Sequence, residues 1–315
     1  MTKTQLQHKW TQYYQQLHTQ TSDPATLYLQ SLAPSGRRSV TCLLHTAAAI
    51  LHFDGALETM PWSLVDFQQL TIIRNSLQKQ GKSANTINLT LAALRGISKH
   101  CFSLRLISAE QWLLVQTIKP VRGQCQRVGN SLTLPQINRL HRVCSQDKTL
   151  AGKRDHALIA LMLATGLRRS EVSALELGDY DRKTGLLLIK VAKGNQQRTV
   201  YLNSDCRHRL RSWLDVRGNA AGALFHPINK QGVILPKHLS SESIYHIVKT
   251  RCAHADIPGI RPHDLRRTFV TQLLAAGIDL NTTRQLVGHA DIQTTARYDL
   301  RHQKAQHRAL KQLYQ

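Results

Sequence analysis

The segment Arg261-Pro-His-Asp-Leu-Arg-Arg-Thr-Phe269 decides how this 315-residue chain is interpreted. A helix through it places His263 and Arg266, three residues apart, on one face. Farther along, Gly288 precedes a second histidine, His289, and a tyrosine, Tyr298, follows in an arginine-containing stretch of small residues. Imidazoles and a guanidinium near a phenol indicate phosphate chemistry, with the tyrosine as a candidate nucleophile.

The composition indicates a polyanionic partner. The chain holds 42 Lys and Arg against 19 Asp and Glu, a formal charge of +23. The cations occur in both halves of the chain, so the excess is not a single basic tail. Solubilising charge is the alternative explanation, but an excess this large in a globular composition favours nucleic acid, since wrapping a duplex requires cations on both sides of it.

The remaining composition predicts a soluble cytoplasmic protein. None of the six cysteines forms a C-x-x-C pair, and their spacing resembles neither a zinc site nor a disulfide framework. We therefore expect buried or incidental thiols in a reducing compartment. No apolar run approaches the roughly 18 residues of a membrane span, and the polar N-terminus has no apolar signal core.

Residues 1–120 are predicted to form a bundle of five or six helices. Apolar residues recur at helical spacing, as in Ser83–Lys99, where Ile87, Leu91, Leu94 and Ile97 share one face. The other predicted helices are a weak one in 1–20, one from Pro24 to about Leu32, then Arg37–Phe53, Asp66–Gln80 and Ser108–Ile118, with Pro34-Ser-Gly36 predicted as a break.

One helix face of this half is a candidate contact for nucleic acid. Lys82 and Arg95 lie on the polar face of Ser83–Lys99, together with Asn85, Thr86 and Asn88. That face suits phosphate contacts or is simply solvated, and the sequence leaves both open. Residues 121–130 lack apolar periodicity and predict a linker.

Residues 131–315 predict a second, mainly helical domain with a small antiparallel sheet. Strand candidates Leu186–Lys190 and Gln197–Leu202 flank a glycine-containing turn, so we expect a hairpin with Lys193 at its tip. Helices are expected around it; Arg154–Ala164 is the most apolar and ends at Thr165-Gly166. The basic tail, residues 301–315, has a modest apolar stripe that packs on its own domain or on another protomer.

Further candidates for chemistry precede the opening segment. Arg168 follows Thr165-Gly-Leu167 at a turn, where a guanidinium can fork onto a phosphate. Glu171 lies one turn farther on and suits a buried partner that orients a neighbouring group. Lys193 can enter a groove of DNA and protonate a leaving oxygen. Each residue alone is more often a surface or packing residue, and only the ordered series indicates a functional site.

That series resembles the tyrosine recombinase (phage integrase) family. The matching segments are Ala164-Thr-Gly-Leu-Arg-Arg-Ser-Glu171, Ala192-Lys-Gly-Asn-Gln-Gln-Arg198, Pro262-His-Asp-Leu-Arg-Arg-Thr-Phe269 and Leu286-Val-Gly-His289 through Tyr298. They span roughly residues 131–300 and are specific, because five separated motifs coincide. Residues 1–120 resemble the family's core-binding, SAM-like domain only in size, basic character and helix content.

The resemblance implies roles for these residues. Tyr298 would attack the scissile phosphorus to form a 3′-phosphotyrosyl link, and Arg168 and Arg266 would hold the non-bridging oxygens. Lys193 would protonate the leaving 5′-oxygen, and His263 would take the phenol proton. In the same scheme His289 would donate a hydrogen bond to the phosphate and Glu171 would support the arginines. The phosphotyrosine conserves bond energy, so no cofactor and no metal are expected.

The predicted function is site-specific recombination of double-stranded DNA by a homotetramer, encoded by a mobile element. Arg169 and Arg267, each next to a catalytic arginine, contact phosphate, support the site or are surface charge. Two alternatives stay open: a type IB topoisomerase with similar chemistry, and a non-catalytic DNA-binding protein with a decayed site. The target site and the biological outcome, whether integration, excision, inversion or resolution, do not follow from the sequence.

Overall fold

The chain divides into two compact units, Met1–Arg127 and Val128–Gln315. The computed structural model describes residues 23–123, 130–190, 197–289 and 291–296. The predicted helix in 1–20, the hairpin tip with Lys193 and the segment from Tyr298 through the basic tail lie outside the described residues. Among the described residues, every helix is too short or too polar to span a bilayer.

The first unit is a helical bundle. Its helices are α1 (Pro24–Ser31), α2 (Pro34–Ile50), α3 (Phe67–Lys79), α4 (Ala84–Ser103) and α5 (Ala109–Gln116). α4 is central and contacts the other four, and its predicted apolar face, with Ile87, Leu91, Leu94 and Ile97, is buried. α4 begins where Ser83 accepts a hydrogen bond from Thr86 N, as a capping serine does.

The prediction for this unit was wrong at one place and absent at another. Pro34-Ser-Gly36 is not a break between two helices, because α2 begins at Pro34 and these three residues form its first turn. Proline fits the first helical position, where its fixed φ suits the helix and its missing N–H is not needed. The second part holds two 3-10 turns, Leu57–Thr59 and Trp62–Leu64, where the Trp62 indole donates to the Leu57 carbonyl at 2.8 Å. Such short turns leave no periodic signal.

The second unit is organised around one buried helix. Its helices are α6 (Leu134–Gln146), α7 (Leu150–Thr165), α8 (Arg169–Ala174), α9 (Ser204–Arg217), α10 (Ser241–His254), α11 (Pro262–Ala275), α12 (Leu280–Val287) and α13 (Ile292–Ala296). α7 contacts α6, α9, α10 and α11 and is buried along almost its whole length. It starts one turn before the predicted Arg154, because Thr149 caps it through Gly152 N.

The predicted hairpin is present as a two-stranded antiparallel sheet. β1 (Leu186–Ile189) pairs with β2 (Arg198–Tyr201), with Leu186 opposite Tyr201 and Ile189 opposite Arg198. Along β2, Val200 is buried, while Thr199 and Tyr201 are exposed. The predicted fold class, mainly α with one small antiparallel sheet, is therefore confirmed.

The described cysteines are free thiols. Cys101, Cys144, Cys206 and Cys252 are buried, and burial raises the pKa of each thiol to about 12. A thiol with so high a pKa is unreactive at neutral pH, so these four act as small apolar core residues. Cys42 is exposed.

Candidate active site

Arg168 is fixed at the start of α8. Its backbone N–H donates to Glu171 Oε2 at 2.8 Å, and its Nη1 donates to Glu171 Oε1 at 2.8 Å. Its Nη2 reaches the carbonyl of Gly288 at 3.0 Å, where α12 ends. The side chain is still 44% exposed, so the guanidinium is held in place while part of it faces solvent.

Arg266 is held more tightly and is only 3% exposed. From α11 its Nη1 donates to the carbonyl of Gly166 at 2.7 Å and its Nη2 to the carbonyl of Val287 at 2.8 Å. Both carbonyls lie at helix ends, where α7 and α12 stop at glycines with left-handed backbone, Gly166 (φ +61) and Gly288 (φ +66). Terminal carbonyls lack partners within their helix, and the helix dipole favours a cation there.

Glu171 is shared between two arginines. It is 8% exposed, and its two carboxylate oxygens accept from Arg168 and also from Arg198 of β2, at 3.2 Å from Nη1 and 2.9 Å from Nη2. Burial acts to raise the pKa of this carboxyl, but the hydrogen bonds and charges of Arg198 and Arg168 outweigh it, and the pKa lies below its usual value. Glu171 is therefore a carboxylate at neutral pH.

His263 occupies the first turn of α11 and has an exposed edge. Partial burial of the ring, and then the charges of Arg266 and Arg267, lower its pKa. The imidazole is accordingly neutral at neutral pH, which is the form that accepts a proton.

His289 directly follows the left-handed Gly288 and is 7% exposed. Its Nδ1 lies 2.9 Å from the hydroxyl of Thr295 in α13. Burial, and then the charges of Arg266 and Arg168, lower its pKa to about 4. The ring is therefore neutral. If the Thr295 hydroxyl donates to Nδ1, the proton of the ring is carried by Nε2.

A family model described as the phage integrase family matches residues 130–307. The chain belongs to the phage integrase family. Tyrosine recombinase XerC of Alcanivorax borkumensis is 30% identical to this family member over 77% of each chain. Tyrosine recombinase XerD of Oceanobacillus iheyensis is 29% identical over 76% of this chain and 80% of its own. This member of the phage integrase family is a site-specific tyrosine recombinase.

Solved structures share the fold of this integrase family member. The integrase of transposon Tn1549, solved in complex with transposon right end DNA, matches with a TM-score of 0.69 and 16% identity, over 92% of this chain and 99% of that one. A dimer of λ integrase bound to a COC′ core site matches with a TM-score of 0.64 and 13% identity, over 92% and 94%. At these identities the likeness concerns the fold.

A cavity of about 410 Å³ opens beside the arginines of this recombinase. Arg168, His263 and Arg266 line one part of it, and the rest of its wall includes the apolar side chain of Leu167 and the ring of Tyr245. Apolar walls strengthen the field of the cations, because they exclude water from around the charge. Arg169 and Arg261 also line it, so the cavity offers an anion four guanidiniums and a neutral imidazole.

The structure brings together Arg168, Glu171, His263, Arg266 and His289, which the sequence singled out. Lys193 and Tyr298 lie outside the described residues. Arg198 was not singled out, although it closes one of the matching segments. Its alternation with buried Val200 along β2 is the signal that could have placed it on the inner face of the hairpin.

The two candidate DNA contacts of the first unit differ: Lys82 is exposed, whereas Arg95 bonds to the protein backbone. Lys82 is exposed immediately before α4. Arg95 donates from Nη2 to the carbonyl of Ile118, so this guanidinium ties α4 to the residues after α5. Asn88, from the same predicted face, exchanges two hydrogen bonds with the backbone of Val121 at 2.8 and 3.0 Å.

The two arginines that follow the central pair differ from each other. Arg169 lies 3.7 Å from Glu242, and its guanidinium is over the ring of Tyr245 at 5.9 Å. Arg267 is half-buried and adds to the positive potential around His263. Arg169 thus belongs to the rim of the cavity, whereas Arg267 acts on the histidine through its charge.

Proposed function

We propose that this tyrosine recombinase cleaves and rejoins double-stranded DNA at specific sites through a 3′-phosphotyrosyl intermediate on Tyr298. The observation that carries the proposal is the fixed pair of guanidiniums, Arg168 and Arg266, held by Glu171 and by helix-end carbonyls beside two neutral histidines. Donors fixed in advance stabilise charge that develops in a transition state without reorganising.

The arginines would bind the scissile phosphate. In the pentavalent transition state, negative charge grows on the non-bridging oxygens, and a planar guanidinium can contact two oxygens at once. Arg168, with its exposed guanidinium, and Arg266, in the cavity wall, suit this role. His289 would donate to the same phosphate from Nε2, with Thr295 on its other nitrogen.

The proton balance of cleavage involves three residues. Tyr298 Oη attacks phosphorus, and its proton passes to His263, whose lowered pKa keeps it neutral beforehand. The bond from phosphorus to the 5′-oxygen breaks, and Lys193 supplies the proton that this oxygen takes. Rejoining runs the same steps in reverse, with a 5′-hydroxyl as the nucleophile. The phosphodiester is conserved as a phosphotyrosine, so the reaction calls for no nucleotide cofactor.

The arrangement of the complex follows from the charge and the two units. We infer that residues 1–120 form a core-binding domain with Lys82 toward DNA, that 121–130 link it, and that 131–315 form the catalytic domain. The formal charge of +23 supports contact with DNA on both sides of the duplex. We infer a homotetramer on two sites, a mobile element as the source of the gene, and action in the cytoplasm, where DNA is accessible.

The test is capture of the covalent intermediate. Duplexes that bind the protein are first selected from a randomised library, and each is then nicked near its centre so that the cleaved fragment diffuses away. Wild-type protein is expected to form an adduct that survives denaturation, with phosphate linked to Tyr298 on peptide mapping. Tyr298→Phe should bind the same duplexes and form none.

Three results would contradict the proposal. If wild-type protein forms no adduct on any selected duplex, the chemistry assigned here is wrong. If it relaxes supercoiled plasmid that lacks selected sites as fast as plasmid that contains them, the topoisomerase alternative is favoured. Adduct formation by Tyr298→Phe would move the nucleophile to another residue.

A further inference from the structure

Arg198 has no role in the chemistry proposed above, yet it is built into the site. It is the first residue of β2, paired with Ile189 across the hairpin, and its side chain is only 13% exposed. Burying a guanidinium costs free energy unless its donors find acceptors, so its partners are informative.

Those partners lie on two other elements. Both terminal nitrogens donate to the carboxylate of Glu171 in α8, at 3.2 and 2.9 Å. Nε donates to the carbonyl of Leu286 in the last turn of α12, at 3.2 Å. One side chain from the sheet therefore holds both α8, which Arg168 caps, and α12, which ends before His289.

The turn after α12 is fitted around this guanidinium. A Cβ added to Gly288 would lie 2.7 Å from Arg198 Nη1, closer than side chains approach one another. Gly288 also gives its carbonyl to Arg168 and precedes His289. Arg168 and Arg198 thus hold the same turn as well as the same carboxylate.

We propose that Arg198 is a positioning residue for strand cleavage, which sets the places of Arg168 and His289 together through the Glu171 carboxylate and the Gly288 turn. The inference rests on the proposed function. Arg198 itself would act through Glu171 and the Gly288 turn, without touching substrate. Its loss would let the Arg168 guanidinium and the His289 ring shift relative to each other while both remain present.

The charges around Glu171 allow a positioning role of Arg198 to be distinguished from a purely structural contribution to stability. Arg168 and Arg198 face the carboxylate, whereas Glu242 of α10 pairs with Arg169 and the His238 ring meets the Ser173 carbonyl. Without Arg198, burial acts on a carboxyl with one cation fewer, and its pKa rises. Protonated Glu171 cannot hold Arg168 as a carboxylate does, so cleavage acquires a new dependence on acid.

The experiment measures single-turnover formation of the covalent adduct at saturating nicked duplex, as a function of pH. We expect Arg198→Gln to lower the rate about 10- to 100-fold at neutral pH, as misplacement of catalytic groups does, with little change in the Kd for DNA. The acid limb of its pH profile should move to higher pH than in wild type. Arg198→Lys should recover part of the rate, since it keeps the charge without the fork.

Arg251 supplies the matched control. It is 11% exposed, lies in the same unit and pairs with two carboxylates, Asp147 and Asp155, at 2.7 and 2.8 Å. Arg251→Gln should lower thermal stability in the way that Arg198→Gln does, but leave the pH profile in place. Adding Glu171→Gln to Arg198→Gln should remove the shift of the acid limb.

The outcomes are distinguishable. If wild-type protein forms no adduct, the proposed function fails. If it does, and folded Arg198→Gln cleaves with wild-type rate and pH profile, the positioning role is wrong. If the cleavage rate falls equally in Arg251→Gln, or if the acid limb of Arg198→Gln does not move, Arg198 contributes only to stability. If Arg198→Gln does not fold, the same comparison is made with Arg198→Lys and Arg251→Lys.

Discussion

Arg266 and Gly166 are 100 positions apart in the chain, yet Nη1 of the arginine lies 2.7 Å from the glycine carbonyl. The second terminal nitrogen of Arg266 meets the carbonyl of Val287 in the same way. Two helix ends are thereby joined through one guanidinium, and two backbone carbonyls hold this catalytic group in place.

This relationship predicts the outcome of Arg266→Lys. An ammonium cannot donate to both carbonyls and still present a planar fork to a phosphate. We expect adduct formation to fall about 100- to 1,000-fold, the usual loss on removal of a fixed donor to a transition-state oxyanion. Single-turnover cleavage of a nicked duplex measures this. A rate within a few-fold of wild type would show that Arg266 does not contact the phosphate.

Gly288→Ala should cost activity as well as stability. Left-handed backbone at φ +66 costs an alanine about 1–2 kcal/mol, and the new Cβ would also displace Arg198. Gly277→Ala is the control, because Gly277 has φ +89 and nothing within 4 Å of its added Cβ. Urea unfolding should show a loss in both variants, and cleavage should fall in Gly288→Ala alone. Equal cleavage in the two would contradict the close fit of the turn.

Thr295→Val tests the orientation of His289. Valine has nearly the shape of threonine but leaves Nδ1 of the buried ring without its hydroxyl partner. The tautomer with the proton on Nε2 loses its support, and we expect cleavage to fall about 10-fold, equivalent to about 1.4 kcal/mol in the barrier. The measurement is the cleavage rate of this variant beside Thr294→Val, which changes the neighbouring threonine of α13. A greater effect at Thr294 would mean that the hydroxyl of Thr295 is dispensable.

His289 should also make folding sensitive to acid. Its folded pKa of about 4 lies below the value near 6.5 of an unfolded histidine, so the unfolded chain binds the proton more readily. The contribution of neutral His289 to the free energy of unfolding is therefore fully present above about pH 6.5 and is lost as the pH falls toward 4. Between about pH 7.5 and 5 the loss from this residue is about 2 kcal/mol, from 1.36 kcal/mol per pKa unit.

Urea unfolding of wild type and His289→Gln at these two pH values checks the prediction. His141 and His156, whose pKa values burial also lowers to about 4, contribute equally to both proteins. The difference between the proteins is therefore assigned to His289. A free energy of unfolding that falls by the same amount in both would mean that His289 is not protonated on unfolding in this range.

The cleavage activity of Lys193→Ala should be restored by a substrate with a better leaving group. If the lysine protonates the 5′-oxygen, a substrate with sulfur at that position does not require it, because a thiolate leaves without a proton. We expect Lys193→Ala to cleave the ordinary duplex poorly and the sulfur-bridged duplex at nearly the wild-type rate. Arg266→Lys should remain slow on both substrates. Failure of sulfur to restore Lys193→Ala would assign the proton to another group.

The sequence was sufficient to predict the helices where local signals agreed with the tertiary packing. Periodicity located the buried helix α7 and the apolar face of α4, and glycine predicted the end of α7 at Gly166. It misjudged Pro34, where one residue serves as both a break and a start, and it missed the 3-10 turns around Trp62, which are too short for a period.

In the site, too, local pairs could be predicted from the sequence and long-range contacts could not. Spacing alone placed Arg168 with Glu171 and His263 with Arg266, because each pair lies within one helical turn. It did not reveal that Arg198 shares Glu171, or that Arg266 meets Gly166, because these contacts join residues 27 and 100 positions apart. Such contacts depend on how helices pack, which no local pattern records.

The pairing of Ile189 with Arg198 limits how the hairpin can change over evolution. A slip of one residue in the pairing itself would turn Thr199 and Tyr201 inward and carry Arg198 to the solvent side. The register of the paired strands thus fixes the face on which Arg198 lies.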